Sequence, residues 1–324
     1  MNFPTVRPTG RGLQLLRGNP IAPFPKFCGA CLFALHIGAP TMESLTPSLQ
    51  TLYAQHQGKV SDKWSSYLSL YEAILGPLRQ SVQSLLEIGV QNGGSLALWA
   101  KYFPYAQCVV GCDIDPKCAN LRYDDPRIHV VVNDATQPST RTQMERLSPT
   151  FDAVIEDGSH IPREVIAAFL RYWPMVKPGG IFIAEDLHCD YFPGHEGGVA
   201  KRNIANRFSA ELVHVINLEH WVGVTTIAQL LHEFASADLV DQAKLAGTIA
   251  SVSFHNSVAI VRKSDSETSV RLGNRVVVGT VATVEDAVLR LQNKSVTSLF
   301  GLHEPVRSVP ASTPTSFPGL FAKR

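Results

Sequence analysis

Five short, continuous apolar runs dominate the middle of the chain, at 81–89, 108–113, 128–132, 151–157 and 180–186. Helical spacing intervenes at 94–102 and 162–173. Runs this short, apolar at successive positions, belong to strands buried on both faces, and such strands sit in a parallel sheet covered by helices on each side. The expected fold is therefore α/β: a doubly wound, Rossmann-like, mostly parallel sheet. Ligands in that architecture bind beyond the carboxyl ends of the strands. A late strand is expected at 253–262.

The flanks differ from this core. Residues 1–42 carry Arg7, Arg11, Arg17 and Lys26 but no acid, together with six prolines. A basic stretch followed by the apolar run 27–39 has the order of a targeting segment, but the prolines spoil an amphipathic helix. The expectation is a poorly ordered, non-catalytic leader. Within it, Cys28 and Cys31 form a lone CxxC without the second ligand pair that a zinc site needs. Residues 43–263 are expected to form the main domain, 264–300 a small annex and 301–324 a mobile, proline-rich tail.

Composition narrows the classes. Lys plus Arg total 29 against 28 Asp plus Glu, so the chain lacks the basic excess of a nucleic-acid binder. No apolar run approaches the roughly 20 residues that span a bilayer. Six cysteines in 324 residues are too few for a disulfide scaffold and suit a reducing, cytoplasmic compartment. The oligomeric state is open, with self-association one option.

The chemistry gathers at the strand ends. Gly89, Gly93 and Gly94 form a turn after the first strand, without GxGxxG spacing. Asp113 ends the second strand, where an acid can accept from ribose hydroxyls or cap a following helix. Asp134 follows the third and can accept from an adenine amino group. These three describe a nucleoside pocket with no lysine-bearing phosphate loop. The next two strands end in Glu156-Asp157 and Glu185-Asp186. Carboxylates crowded at one sheet edge repel unless a cation joins them, and an all-oxygen set suits Mg²⁺. Asp157, Glu185 and Asp186 are the expected ligands. Alternation turns Glu156 away, toward a helix-capping role. His160, three residues past Asp157, is the expected general base. His188 and His195 are weaker candidates for substrate or supporting roles, and Asp190 and Tyr191 either line an acceptor pocket or pack.

At these motifs the chain resembles the class I S-adenosylmethionine-dependent methyltransferases. More narrowly, it is similar to the metal-dependent sugar O-methyltransferases of macrolide and rhamnosyl-polyketide tailoring, of mycinamicin and tetracenomycin type. The resembling stretches run in order from 61 to 263: Ser61-Asp-Lys-Trp64 with Tyr67 and Tyr71, LLEIGVQNGGSLALW, VVGCDIDP, FDAVIEDGSH, PGGIFIAEDLH and SFHNSVAIVRK. The resemblance implies S-adenosylmethionine and Mg²⁺ as cofactors and a small-molecule hydroxyl acceptor. By it, Glu87, Gly89 and Ser95 hold the methionine end, Asp113 the ribose and Asp134 the adenine side. Asp157, Glu185 and Asp186 bind the metal and His160 takes the proton. Catechol-type relatives carry a lysine at the His160 offset, so the sugar-type enzymes match better. Cys189-Asp190 stands where the family has Thr-Ser, which leaves the acceptor open. Two other classes remain: a metal-independent methyltransferase or other nucleoside-binding Rossmann enzyme, and a non-catalytic binding protein of the same fold.

Overall fold

The computed structural model describes residues 46–266, 271–296 and 298. The expected leader, its two cysteines and the expected tail lie outside those residues. The described strands form one seven-stranded sheet in the order β3-β2-β1-β4-β5-β7-β6. They are β1 (Ser84–Ile88), β2 (Cys108–Asp113), β3 (Ile128–Val132), β4 (Phe151–Glu156), β5 (Val176–Ala184), β6 (Ile249–His255) and β7 (Val258–Lys263). The first five pair in parallel, and β7 runs antiparallel to both β5 and β6. The sheet is the mostly parallel, Rossmann-like one that the apolar runs imply.

One expectation changes. The single late strand at 253–262 is a hairpin, β6 and β7, folded back at Asn256-Ser257. Both arms are strand-like, so the pattern reads through; the break falls at Asn and Ser, residues that favour turns.

Two apolar layers cover the sheet, and the period of two assigns each strand residue to one of them. Leu86, Ile88, Val154, Phe182 and Ala184 face the layer built on α5 (Pro162–Tyr172) and α6 (Ala205–Ile216). Leu85, Ala153, Ile155, Ile181 and Ile183 face the layer of α2 (Ser65–Leu75) and α3 (Gly94–Tyr102). Glu87, Asp157 and Glu185 continue that second set in register, so alternation aims all three carboxylates at α2 and α3. Backbone bonds just past the strands align the tips. Gly89 N–H donates to Cys112 O, Asp157 N–H to Ile88 O and Glu185 N–H to Glu156 O, each at 2.8 Å.

Among the described residues of the expected annex, Asn274 bridges Ser295 and a short 3-10 helix covers Asp286–Leu291. No helix among the described residues is long and apolar enough to cross a membrane.

Candidate functional site

A cavity of about 840 Å³ opens at the carboxyl ends of β1, β2, β4 and β5. Its walls come from the turn after β1 (Gly89 to Asn92, and Ser95), from Asp113 and Asp115, from the loop 60–64, and from Asp157, Gly158, His160, Glu185 and Asp186. The turn depends on Gly89. Its φ is +91°, and a Cβ there would lie 1.9 Å from the Asp157 carbonyl oxygen. Only glycine lets β1 and the Asp157 loop come this close. Gly94 does the same for the opposite wall, since a Cβ there would meet Lys59 O at 2.3 Å. The loop 60–64 is thereby seated on the start of α3, with Gly94 N–H donating to Val60 O.

Asp113 is held by the turn that it serves. One of its oxygens accepts from Val90 N–H and Gln91 N–H, and the other from Asp115 N–H, all at 2.8 Å. It caps no helix; Asp115 does that, accepting from Lys117 N–H. Asp113 lines both the large cavity and a second one of about 170 Å³ beside it. Asp134, Thr136, Glu156 and Glu164 line that smaller cavity. Burial would raise the Asp134 carboxyl, but hydrogen bonds from Gln137 and Thr136 hold it below its ordinary range. Asp134 is thus an anion built into its own loop at the cavity edge.

Glu87 stands behind the wall rather than in it. It is fully buried, accepting from Ser95 Oγ at 2.5 Å and Trp99 Nε1 at 3.1 Å. Ser95, which does line the cavity, is oriented by that bond.

The carboxylates of β4 and β5 divide into two groups around Asp157. On the inner side, Lys63 reaches down from the loop before α2. Its side chain is only 3% exposed, and its ammonium bonds Asp157 Oδ2 and both oxygens of Glu185, at 2.9 and 3.0 Å. Glu87 Oε1 lies 3.8 Å from the same nitrogen. Burial alone would lower the Lys63 pKa, but Glu185, Asp157 and Glu87 outweigh it and hold the amine charged. Tyr71 donates to Glu185 from α2.

On the outer side, Asp157, His160 and Asp186 each turn one ligand atom to a common point, all three within 4.8 Å of one another. His160 Nε2 is 4.0 Å from Asp157 Oδ1 and 3.8 Å from Asp186 Oδ2. Burial lowers the His160 pKa against the pull of those two carboxylates, which leaves a neutral imidazole able to accept a proton. Alternation would send Asp186 to the opposite face. It returns because its backbone turns left-handed, at φ 55°, and His160 does likewise at φ 54°. Non-glycine residues held there cost energy and cluster at functional sites. Asp186 is then gripped by Tyr67 Oη at 2.8 Å and Trp64 Nε1 at 3.1 Å.

The donor set fits a hard divalent cation: two carboxylate oxygens beside an open, water-accessible cavity, with a third carboxylate adjacent. Among the described residues His160 Nδ1, shielded from solvent, has no hydrogen-bond partner, so the ring is not locked by a second contact.

Other sequence candidates sort by geometry. Glu156 faces away from Asp157 as alternation requires, but among the described residues it caps no helix, and its side chain accepts from Gly158 N–H at 3.3 Å. Asp190 packs inward and accepts from Asn206 N–H at the start of α6. Tyr191 is exposed. His188 Nδ1 meets Ser257 Oγ at 2.7 Å, and the His195 ring lies 6.2 Å from that of His160. Lys63, Trp64, Tyr67 and Tyr71 carried no role in the sequence reading. For the two tyrosines the signal was their i, i+4 spacing on one helix face; nothing local marked Lys63 or Trp64.

The sheet order is that of a Rossmann-like fold, and residues 86–187 match the family model of a methyltransferase domain. The chain is 36% identical over 160 residues to 8-demethyl-8-alpha-L-rhamnosyl tetracenomycin-C 2'-O-methyltransferase of Streptomyces olivaceus, covering 47% of this chain and 40% of that one. It is 33% identical over 164 residues to demethylmacrocin O-methyltransferase of Streptomyces fradiae, again covering 40% of the relative and 48% of this chain. The chain thus spans under half the length of the curated relatives that it matches. A solved structure of the MycE methyltransferase, with Mg, SAH and mycinamycin VI, aligns at TM-score 0.55 and 24% identity, over 74% of this chain and 58% of the other. That likeness speaks for the fold.

Proposed function

We propose that this protein is a divalent-metal-dependent O-methyltransferase that moves a methyl group from S-adenosylmethionine to a hydroxyl of a small molecule. A sugar of a glycosylated natural product is the acceptor class, as the names of its relatives indicate. The observation that carries the reading is the convergence of Asp157, His160 and Asp186 at the mouth of a cavity floored by a glycine turn and Asp113. A non-catalytic binding protein has no use for a neutral, half-buried imidazole between two carboxylates.

The residues divide the work. Gly89 and Ser95 border the methionine end of the cofactor, with Glu87 orienting Ser95 from behind. Asp113 accepts from the ribose, and Asp134 flanks the base in the smaller cavity. Asp157, Asp186 and Glu185 would hold Mg²⁺, which when bound supplies positive charge to an acceptor oxygen losing its proton. His160 accepts that proton at Nε2, the nitrogen facing the two aspartates. The loop 60–64 roofs the cavity and shields the methyl donor from water. Trp64 holds Asp186 while over half exposed itself, which gives the acceptor side an aromatic edge. The catalytic unit is residues 43–263, and the reading includes a cytoplasmic enzyme acting on a small molecule rather than on nucleic acid.

The test is methyl transfer to a panel of glycosylated polyketides and simpler sugars, before and after EDTA, with Mg²⁺ restored. Reversible loss supports the reading. Activity indifferent to EDTA would favour the metal-independent alternative. Absence of S-adenosylhomocysteine binding by calorimetry would remove the methyltransferase assignment altogether.

A further inference from the structure

The inner half of the carboxylate cluster already holds a cation of its own. Glu87, Asp157 and Glu185 share one face of the sheet, and the Lys63 ammonium sits among them, bonded to Asp157 Oδ2 and to both oxygens of Glu185. Glu185 is 1% exposed, and among the described residues the Tyr71 hydroxyl also donates to it. A cation ligated by Glu185 must lie about 2.1 Å from an oxygen, in the space that the ammonium occupies. Two positive charges there repel strongly in a buried setting. Among the described residues, no ammonium or guanidinium pairs with the outer half, Asp157 Oδ1, Asp186 Oδ2 and His160 Nε2.

Lys63 differs from the groups around it in how it is attached. The carboxylates come from strand ends zipped by backbone bonds. Lys63 comes from the loop 60–64, which has no regular secondary structure. Lys63 already lines the large cavity, and so do the exposed Asp62 and Asp115, which offer an ammonium a second home within the same space.

We propose that Lys63 is a built-in place-holder for the divalent cation. Its ammonium compensates Glu185 and Asp157 while no metal is bound, and swings into the cavity when a metal takes Glu185. The inference rests on the metal reading of the proposed function and deepens it. Lys63 is then a positioning residue that sets the order of events: the inner carboxylate is released only to a cation able to displace an amine. The metal pays for that displacement in affinity. If the withdrawn state of Lys63 makes up about a tenth of the population or less, apparent metal affinity is reduced about tenfold or more.

Two measurements on the full-length chain test this without reference to turnover. Mn²⁺ binding is followed by electron paramagnetic resonance and calorimetry for wild type and Lys63→Met. In parallel, an amine-acylating reagent and peptide mass spectrometry report the accessibility of Lys63 in wild type, in EDTA and in saturating Mn²⁺. Lys63→Met is expected to bind Mn²⁺ at least tenfold more tightly, and wild-type Lys63, protected in EDTA, is expected to become reactive when Mn²⁺ is added. Equal or weaker Mn²⁺ binding by the variant, with Lys63 still protected in saturating Mn²⁺, overturns the place-holder and leaves the metal site standing. No Mn²⁺ binding by either protein removes the metal reading and the place-holder with it. If Lys63→Met does not fold, the wild-type labelling decides alone.

Discussion

Glu156 offers a measurable link between one buried carboxyl and the stability of the whole domain. It is 2% exposed, Oε2 has no hydrogen-bond partner among the described residues, and burial pushes its pKa up from 4.5 to about 8. The neighbouring charge of Asp157 adds to the rise. The folded state therefore holds this proton more tightly than the unfolded chain does. Below pH 4.5 both states are protonated, and the contribution to stability is fully present. Between 4.5 and about 8 the unfolded chain ionises while the folded one resists, so stability falls with rising pH. A tenfold difference in proton affinity between the two states is worth about 1.4 kcal/mol, which sets an upper bound of about 5 kcal/mol across the window. Glu156→Gln keeps the size of the side chain and its acceptor for Gly158 N–H, and removes the titration. Urea unfolding in EDTA, without cofactor, at pH 5, 7 and 8.5 is the assay. Wild type should lose stability across the series relative to the variant, and by pH 8.5 the variant should be the more stable. Parallel pH profiles for the two proteins would refute the reasoning, because they would mean that Glu156 ionises in the folded state at its ordinary pKa.

Further outcomes follow from other contacts. Gly89→Ala should destabilise the fold by about 3 kcal/mol or more, from a left-handed backbone cost of about 1–2 kcal/mol and the overlap of the new Cβ with the Asp157 carbonyl; thermal melts at matched pH check this, and a wild-type melting point would contradict it. His160→Gln should lower methyl transfer about 10²–10⁴-fold while leaving S-adenosylhomocysteine affinity near wild type, read by steady-state kinetics beside calorimetry. Asp113→Ala frees three backbone N–H donors and should weaken S-adenosylhomocysteine binding along with stability, whereas Asp113→Asn should recover part of both. Asp186→Ala should abolish the metal dependence of turnover with cofactor binding retained; unchanged Mg²⁺ binding by that variant would exclude Asp186 as a ligand.

The order of short apolar runs was enough to define a covered parallel sheet, because burial on both faces leaves a local mark on sequence. The same period of two told that Asp157 and Glu156 part company, while the expectation that grouped Asp157, Glu185 and Asp186 rested on their neighbouring strand tips and not on periodicity. Glycine at 89 was legible as a turn, since a strand end that must bend sharply selects for it. Contacts between distant segments were not legible. Lys63 lies 94 residues from Asp157 and 122 from Glu185 in the chain, and no local pattern announces that its amine fills the space between them. Asp186 belongs with Asp157 and His160 only because its backbone leaves the strand geometry, a choice enforced by Tyr67 and Trp64 from another element. The hairpin at Asn256-Ser257 likewise joined two arms that each read as strand. Periodicity records which side of the sheet a residue occupies, and sequence alone decides that much; which charges meet across the strand tips is set by loop closure and side-chain reach, and only the folded chain decides it.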